Sequence, residues 1–365
     1  MIYLDYQATT PLAPEAREAM LRWLEGPGGS GFGNPHSAHR MGRSASAAVE
    51  AARERVAALL PPGGRVVFTS GATEALNTAL RGTRGDVLTF ATEHAAVLDC
   101  ARPVEARGRR FTVLPVKRDG RADIGALEDA LGSGCGLVAA MAINNEIGTR
   151  HPLGEIAKRA RKQGVLVLVD AVQAYGRVPL TELDADMIAI SAHKIHGPKG
   201  IGALWLRDGV EVEPLMFGGG QEAKLRSGTL SPALCAGFGA AAQIAEERMA
   251  ADCEHIEALW TRARELFAGW TLNGSATERW HGNLNIRREG LDVARLMSDC
   301  RNVMFSAGSA CASGSGRPSH VLTAIGLSER EAKASIRLGF GRYTKVDEIE
   351  RAAEDILDAA GGQWP

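Results

Sequence analysis

The sequence predicts an α/β fold in which helices cover both faces of a mostly parallel sheet. From about residue 47 to 245, short apolar runs alternate with amphipathic segments of helical length, which is typical of repeated β-α-β units. Residues 165–169 are wholly apolar, as expected for a strand that is buried on both faces. The 365 residues are 45% hydrophobic, which is ample for a large core and suggests about two domains.

Apolar runs predict the strands of this sheet in chain order. They are residues 65–70, 86–90, 137–143, 163–170 and 187–190, followed by a returning strand at 202–206. Amphipathic patterns such as residues 153–163 predict the intervening helices. Ser231 and Pro232 then begin a long helix that runs towards residue 265, because proline is favoured at the first helical position.

The pattern changes after Trp270, which predicts a second, smaller domain of α+β type. A strand at residues 283–286 precedes helices near 291–300 and 319–325 and a last helix from Asp347. We expect three parts: an N-terminal segment (residues 1–20) that packs on the small domain, a large cofactor-binding domain (21–248) and the small C-terminal domain (249–365).

Charge and composition argue against several classes of protein. A net charge of -1 gives no electrostatic case for direct binding to nucleic acid or to an anionic membrane. The longest uncharged stretch, residues 227–245, is too polar for a membrane span, and the N-terminus begins like a strand rather than a signal peptide. The six cysteines form no C-x-x-C pair, so we predict no metal site and expect reduced thiols in the cytoplasm.

Ionisable residues end two consecutive strands of the predicted sheet. Asp170 ends the strand at 163–170, and Lys194 follows the next one. Open α/β sheets bind ligands at the carboxyl ends of their strands. A lysine amine can form a Schiff base, and a carboxylate can keep a pyridine nitrogen protonated. The pair predicts pyridoxal 5'-phosphate (PLP) as cofactor; a solvated loop lysine and a helix-capping aspartate are the alternatives.

The cofactor phosphate is expected at the turn of residues 70–75, which joins a strand to a helix. Small residues let backbone N–H groups approach an anion there, and the helix N-terminus favours negative charge. We assign Ala72 and Thr73 to the phosphate, with Ser191 and His193 closing on it from the other side. A plain turn without a ligand is the alternative.

The cofactor ring is expected to contact three further residues. His94 follows the strand at 86–90 and could stack on the ring and move protons, although a capping histidine would look the same. Asn145 is assigned to the ring hydroxyl and Gln173 to its neighbourhood. Arg337 lies among apolar residues, where its fork suits an α-carboxylate or forms a structural salt bridge.

Cys311 lies in a run of glycine, serine and alanine, residues 306–316. Such a run is typical of a flexible loop, where a thiol is exposed and reactive rather than packed. A cysteine that is incidental to a linker is the alternative.

Together these motifs resemble the cysteine desulfurases, in particular the NifS/IscS-type group of the class-V aminotransferases. The motifs occur in the family's order over nearly the whole chain: residues 71–74, 92–94, 144–148, Asp170 with Gln173, 191–194, 226–229, 309–311 and 335–337. Gln7 departs from the pattern, because serine or asparagine is expected at that position.

The resemblance implies a PLP-dependent homodimer of fold type I with its active sites at the dimer interface. L-cysteine would be converted to L-alanine, and its sulfur would pass to Cys311 as a persulfide. Lys194 and His94 would move protons, Arg337 and Asn145 would bind the substrate, and Thr229 would reach the phosphate in the partner subunit. Cys311 would pass sulfur to a protein acceptor such as an iron–sulfur scaffold, with a transient iron–sulfur contact left open.

Two other functions stay open from the sequence. One is a selenocysteine lyase, or another PLP lyase or aminotransferase of the same fold. The other is an inactive sulfur-relay scaffold, which the joint presence of Lys194, Asp170, His94 and Cys311 disfavours. The acceptor and the pathway served are not determined by these residues.

Overall fold

The computed structural model describes residues 1–308 and 318–363 of the protein. The strands in these ranges are β1 (Ile2–Tyr3), β2 (Gly64–Thr69), β3 (Asp86–Phe90), β4 (Phe111–Leu114), β5 (Cys135–Met141), β6 (Leu166–Asp170), β7 (Met187–Ser191), β8 (Gly202–Arg207), β9 (Thr271–Leu272), β10 (Asn283–Arg287), β11 (Val303–Met304), β12 (Ser306–Ala307) and β13 (Ser335–Gly339).

The α-helices of the described ranges are α1 (Pro14–Leu21), α2 (Arg40–Ala57), α3 (Ala72–Gly82), α4 (Ala95–Leu98), α5 (Ala101–Glu105), α6 (Ile124–Ala130), α7 (Leu153–Lys162), α8 (Pro232–Leu266), α9 (Val293–Asp299), α10 (His320–Ala324), α11 (Glu329–Lys333) and α12 (Val346–Gly361).

A seven-stranded sheet in the described residues has the strand order β2-β8-β7-β6-β5-β3-β4. The strands from β7 to β4 are parallel, and β8 runs antiparallel to both of its neighbours. Every residue of β7 is buried, as expected for a central strand with both faces covered. The predicted α/β class and the returning strand are therefore confirmed.

The long helix α8 packs against α1 and α2 beside this sheet. It begins where the sequence predicts, with Ser231 as the cap that accepts a hydrogen bond from the backbone of Leu234 (3.4 Å) and with Pro232 at its first position. It continues to Leu266 and also contacts α12, so it joins the two regions of the chain. The predicted domain limits at residues 20 and 248 stay predictions.

A second, antiparallel sheet has the order β12-β13-β10-β9. The N-terminal residues lie beside it, since β1 pairs with β11 and Asp5 bridges to Gly339 at the end of β13. The Asp5 carboxylate also pairs with Arg337, so the first residues of the chain lie against β13 of this sheet.

No strand is predicted at β9, β11, β12 or β13, and the strands β4 and β6 of the large sheet also differ from the sequence prediction. The strand β4 was not predicted, because two of its four residues are exposed and the arginines before it conceal the apolar pattern. The strand β6 begins at Leu166 rather than residue 163, because α7 ends at Lys162 and Gly164 turns the chain with a φ of 67°.

Six of the seven strands point their carboxyl ends to the same edge of the large sheet: β2, β3, β4, β5, β6 and β7. The direction of β2 follows from its antiparallel pairing with β8, which is itself antiparallel to β7. Because these ends meet at one edge, the residues that follow them are brought together there.

Substitution of Gly202 by alanine should destabilise the protein. An added Cβ would lie 2.5 Å from the carbonyl oxygen of Ile190 and 2.8 Å from the backbone of Gly71. Such overpacking costs about 1–3 kcal/mol, which chemical denaturation would measure. The control is Gly154→Ala in α7, where no atom lies within 4 Å of the new methyl group. It should be neutral or stabilising by up to about 1 kcal/mol, and an equal loss in both variants would contradict the interpretation.

Candidate active site

A cavity of about 640 Å³ opens at the carboxyl edge of the large sheet. Nearly all of the predicted site residues line it, together with residues from the N-terminal segment: Gln7, Ala8, Thr9, Ser70, Gly71, Ala72, Thr73, His94, Asn145, Asp170, Gln173, Ser191, His193, Lys194 and Arg337. The cavity is thus formed by segments from both ends of the sequence.

Lys194 lies in the single helical turn that follows β7. Its Nζ donates hydrogen bonds to the backbone carbonyls of Gln7 (2.6 Å) and Ala8 (2.8 Å). Burial, followed by the positive charges of Arg177 and Arg337, lowers the pKa of Lys194 to about 8. A useful fraction of the amine is therefore neutral near neutral pH and able to act as a nucleophile.

Asp170 is the last residue of β6 and is 6% exposed. Its Oδ1 accepts a hydrogen bond from the backbone N–H of Val172 (3.0 Å), and within the described ranges it forms no ion pair. Burial raises the pKa of the carboxyl group, and the charges of His94 and Lys194 oppose that rise. A cationic group bound in the cavity would stabilise the ionised carboxylate.

His94 caps the short helix α4, as its alternative interpretation proposed. Its Nδ1 accepts a hydrogen bond from the backbone N–H of Ala96 (3.0 Å), so the proton of the neutral ring lies on Nε2. Burial, and then the charge of Lys194 among other groups, lowers the pKa of His94 although Asp170 opposes the shift. The capping contact fixes the ring while the residue also lines the cavity.

The helix α3 begins at a turn without a side-chain cap. Gly71 is the N-cap residue and offers no side chain to the first turn of this eleven-residue helix. Ala72 and Thr73 therefore line the cavity at an uncapped helix N-terminus. Opposite them, Nδ1 of His193 contacts Oγ1 of Thr9 (3.1 Å), and burial lowers the pKa of His193 to about 4.

Arg337 lies in β13 and is 1% exposed. Its Nη2 donates to Oδ1 of Asp5 (2.7 Å) and to Oγ of Ser306 (3.2 Å), and its Nη1 donates to the carbonyl of Asn145 (3.0 Å). The structural salt bridge is thus present. The Nε atom has no hydrogen-bond partner among the described residues, so one guanidinium donor is left over in a residue that lines the cavity.

One described residue among the predicted site residues, Thr229, is not brought to this cavity by the structure. Thr229 is exposed and is absent from the cavity lining, while the nearby Arg226 forms an ion pair with Glu74 of α3 (Nε–Oε1 2.9 Å). Cys311 lies outside the described residues. No group of three or more metal-ligating side chains occurs in the ranges 1–308 and 318–363, and no helix there is long and apolar enough to cross a membrane.

Comparison with known proteins places the chain in a family. Residues 2–352 match the class-V aminotransferases. The chain belongs to this family. It is 42% identical to the cysteine desulfurase IscS of Rickettsia felis, over 97% of this chain and 90% of that protein, and 41% identical with the same coverage to the IscS of Rickettsia bellii. The resemblance to the cysteine desulfurases is therefore confirmed.

Solved structures agree with this assignment. A NifS-like protein superposes with a TM-score of 0.90 at 30% identity and covers 99% of each chain. A structure described as SspA in complex with cysteine has a TM-score of 0.83 at 33% identity, over 94% of this chain and all of that one. The type-I fold predicted from the motifs is confirmed.

The structure adds Gln7, Ala8 and Glu93 to the residues that sequence reasoning selected. The first two contribute backbone carbonyls, for which no side chain gives a signal. Glu93 stands beside His94 in the sequence and could have been noticed as an acid three residues after the end of a buried strand. It is fully buried, and its Oε1 accepts a hydrogen bond from the backbone N–H of Met141 (2.8 Å).

The Glu93→Gln variant should reveal that this acid is protonated in the folded protein. Burial raises the pKa of Glu93 well above its usual value, and its Oε2 has no partner. The unfolded chain ionises above its ordinary pKa while the folded chain keeps the proton. Wild-type stability therefore falls with rising pH between those two pKa values, by up to about 1.4 kcal/mol per pH unit.

The variant lacks this dependence. The free energy of unfolding of Glu93→Gln relative to wild type should thus increase from pH 5 to pH 8 in chemical denaturation. A difference that stays constant over this range would show that Glu93 is ionised when folded.

Proposed function

We propose that this chain is a PLP-dependent cysteine desulfurase that transfers the sulfur of L-cysteine to Cys311. The observation that carries the proposal is that one cavity contains both the amine of Lys194 and the buried carboxyl group of Asp170, which has no ion-pair partner among the described residues. The family assignment and the IscS relatives support the same chemistry.

The residues of the cavity fit the cofactor. Lys194 offers an amine of lowered pKa, Asp170 offers a carboxylate that a protonated pyridine nitrogen would stabilise, and the uncapped start of α3 offers N–H groups to a phosphate. A volume of about 640 Å³ lies in the range of sites that hold a cofactor and a small substrate. When bound, PLP would supply an electron sink for the carbon atoms of the amino acid.

Further residues would orient the cofactor. Asn145 and Gln173 would lie beside its ring, and His94 would face it with the Nε2 proton. Ala72, Thr73, Ser191 and His193 would surround the phosphate. The exposure of Thr229 supports a role across a dimer interface, in which the partner subunit's Thr229 completes the phosphate site.

Arg337 would hold the substrate carboxylate through its free Nε. Since Asp5 and Ser306 already occupy Nη2, the fork is fixed in place before a substrate arrives. The ion pair with Asp5 orients the guanidinium but occupies one of its donors. Asn145 would therefore share in the binding of the substrate.

Proton movement would fall to Lys194 and His94. The neutral amine of Lys194 would accept the α-proton of the substrate and return a proton to the product. His94, neutral and held through Nδ1, would manage protons on the substrate or the product through Nε2.

Cys311 would attack the substrate sulfur as a thiolate. The bond between that sulfur and the substrate Cβ breaks, Cβ gains a proton, and the new sulfur–sulfur bond leaves a persulfide on Cys311 and free alanine. The other five cysteines are unsuited to this role, because burial raises the pKa of each thiol and so disfavours the thiolate. The pKa rises to about 11 for Cys100 and Cys300 and to about 12 for Cys235.

The persulfide would then pass to a protein acceptor, for which an iron–sulfur scaffold is the proposed class. We place the enzyme in the cytoplasm, where thiols stay reduced. The five cysteines of the described residues are all free, which is consistent with that compartment.

Cys311→Ser tests the transfer. Brief exposure of the wild type to L-cysteine should add one sulfur atom to the peptide that spans Cys311, as measured by mass spectrometry. The variant should carry no added sulfur and should release alanine at least about tenfold more slowly, equal to about 1.4 kcal/mol of barrier. Lys194→Ala is the control that stops before sulfur transfer, because it lacks the amine. Sulfur found on Cys253 or Cys300 instead would contradict the assignment.

A homodimer is the proposed active unit. Large apolar side chains are exposed, including Phe217 (82%), Leu24 (62%) and Phe32 (60%), and Phe217 adjoins the bridge between Met216 and Arg226. Light scattering should give about twice the chain mass of 38.7 kDa.

Phe217→Asp should shift this protein towards monomer and weaken cofactor retention, because a charge would be buried in the interface. Val346→Asp, which changes another exposed apolar residue, is the control. A fully active monomeric wild type would overturn the proposal.

A further inference from the structure

Arg177 lies in the loop after β6, four residues beyond Gln173, and its guanidinium contacts two segments of the candidate active site. Its Nη2 donates to the backbone carbonyl of Lys194 (2.8 Å). Its Nη1 donates to the carbonyl of Gln173 (3.3 Å) and to the Oε1 atom of the same residue. Arg177 thus joins the segment after β6 to the segment after β7.

These contacts also fix the amide of Gln173. Because Oε1 accepts from Arg177, the Nε2 group must donate elsewhere, and it donates to the carbonyl of Gln7 (3.0 Å). The same carbonyl accepts the hydrogen bond from Nζ of Lys194. Arg177, Gln173, Gln7 and Lys194 therefore form a closed ring of hydrogen bonds.

The charge of Arg177 has no carboxylate partner among the described residues. Asp252 lines the small cavity next to Arg177, but Arg342 pairs with it at 2.7 Å. Burial lowers the pKa of Arg177 to about 10, so the guanidinium stays charged near neutral pH. An uncompensated positive charge is thus held against the backbone of Lys194.

The other ionisable groups around the Lys194 amine come from several elements. Asp170 and Asp5 are negative and favour the ammonium, Arg337 is positive and is matched by Asp5, and burial lowers the pKa of both His94 and His193. Lys199 also lines the cavity, but the cations that lower the pKa of Lys194 are Arg177 and Arg337. Of these two, Arg177 is the one whose charge is not offset by an ion pair in the described ranges.

We propose that Arg177 is a positioning residue that holds the Lys194 segment and keeps the amine of Lys194 neutral enough to react. The inference rests on the proposed role of Lys194 as the cofactor-binding amine. The cation raises the free energy of the neighbouring ammonium, and the hydrogen-bonded ring holds the amine at the cavity.

The experiment measures how fast the apo protein attaches PLP covalently to Lys194 as a function of pH. Each sample is trapped by borohydride reduction, and the labelled peptide is quantified by mass spectrometry. Arg177→Met removes the charge, and the pH midpoint of uptake should rise by at least about half a unit, so uptake below both midpoints should slow about threefold. Arg177→Lys keeps a charge and should restore most of the midpoint.

Arg279→Met is the matched control. Arg279 is also buried, has no ion pair among the described residues and donates to the backbone carbonyls of Asn273, Ser275, Ile147 and Asn283. Its burial lowers its pKa to about 9. The Arg279→Met variant should therefore lose stability comparable to that lost by Arg177→Met, but it should leave the pH midpoint of PLP uptake at Lys194 unchanged.

The outcomes separate the two proposals. A wild type that attaches no PLP to Lys194 contradicts the proposed function itself. A wild type that attaches it, with an Arg177→Met midpoint equal to that of Arg279→Met, overturns the role of Arg177 alone. If Arg177→Met does not fold, Arg177→Gln is used, since it is neutral and keeps a donor for the Lys194 carbonyl; an unmoved midpoint there has the same consequence.

Discussion

The N-terminal segment from Asp5 to Thr10 holds the candidate active site together. Its carbonyls at Gln7 and Ala8 accept both hydrogen bonds of the Lys194 amine, and Thr10 exchanges hydrogen bonds with the backbone beside it. Toward the other sheet, Asp5 pairs with Arg337, and the side chain of Gln7 donates to the carbonyl of Gly282 (2.7 Å).

The contacts of the N-terminal segment with the small sheet depend on a close approach between the backbone of the segment and β13. An added Cβ at Gly339 would lie 2.9 Å from the backbone nitrogen of Tyr6 and would also collide with the side chain of Gln7, so glycine is favoured where the N-terminal segment crosses β13. The departure at Gln7 from the family's serine or asparagine therefore affects packing between the segment and the small sheet. Its contribution to the cavity is a backbone carbonyl, which any residue could supply.

Burial and charge act together on the reactive groups. Burial lowers the pKa of Lys194 and raises the pKa of Asp170, whereas their mutual attraction opposes both shifts. The pKa of the Lys194 amine therefore stays close to neutral pH, where the group can both accept a proton and return it. Glu93 has no basic partner among the described residues to offset its burial, which raises the pKa of its carboxyl group well above its usual value.

The sequence by itself determined the sheet, the family and most of the residues that line the cavity. Those residues follow the ends of strands. Because parallel strands end at one edge of a sheet, this local sequence pattern predicts that the residues lie together at that edge. Only the tertiary structure decided which groups form hydrogen bonds and ion pairs with these residues. The carbonyl of Gln7 meets the Lys194 amine across 187 residues, and Asp5 meets Arg337 across 332. A backbone carbonyl has no side-chain signature, and contacts over such separations depend on how the segments pack rather than on their own pattern.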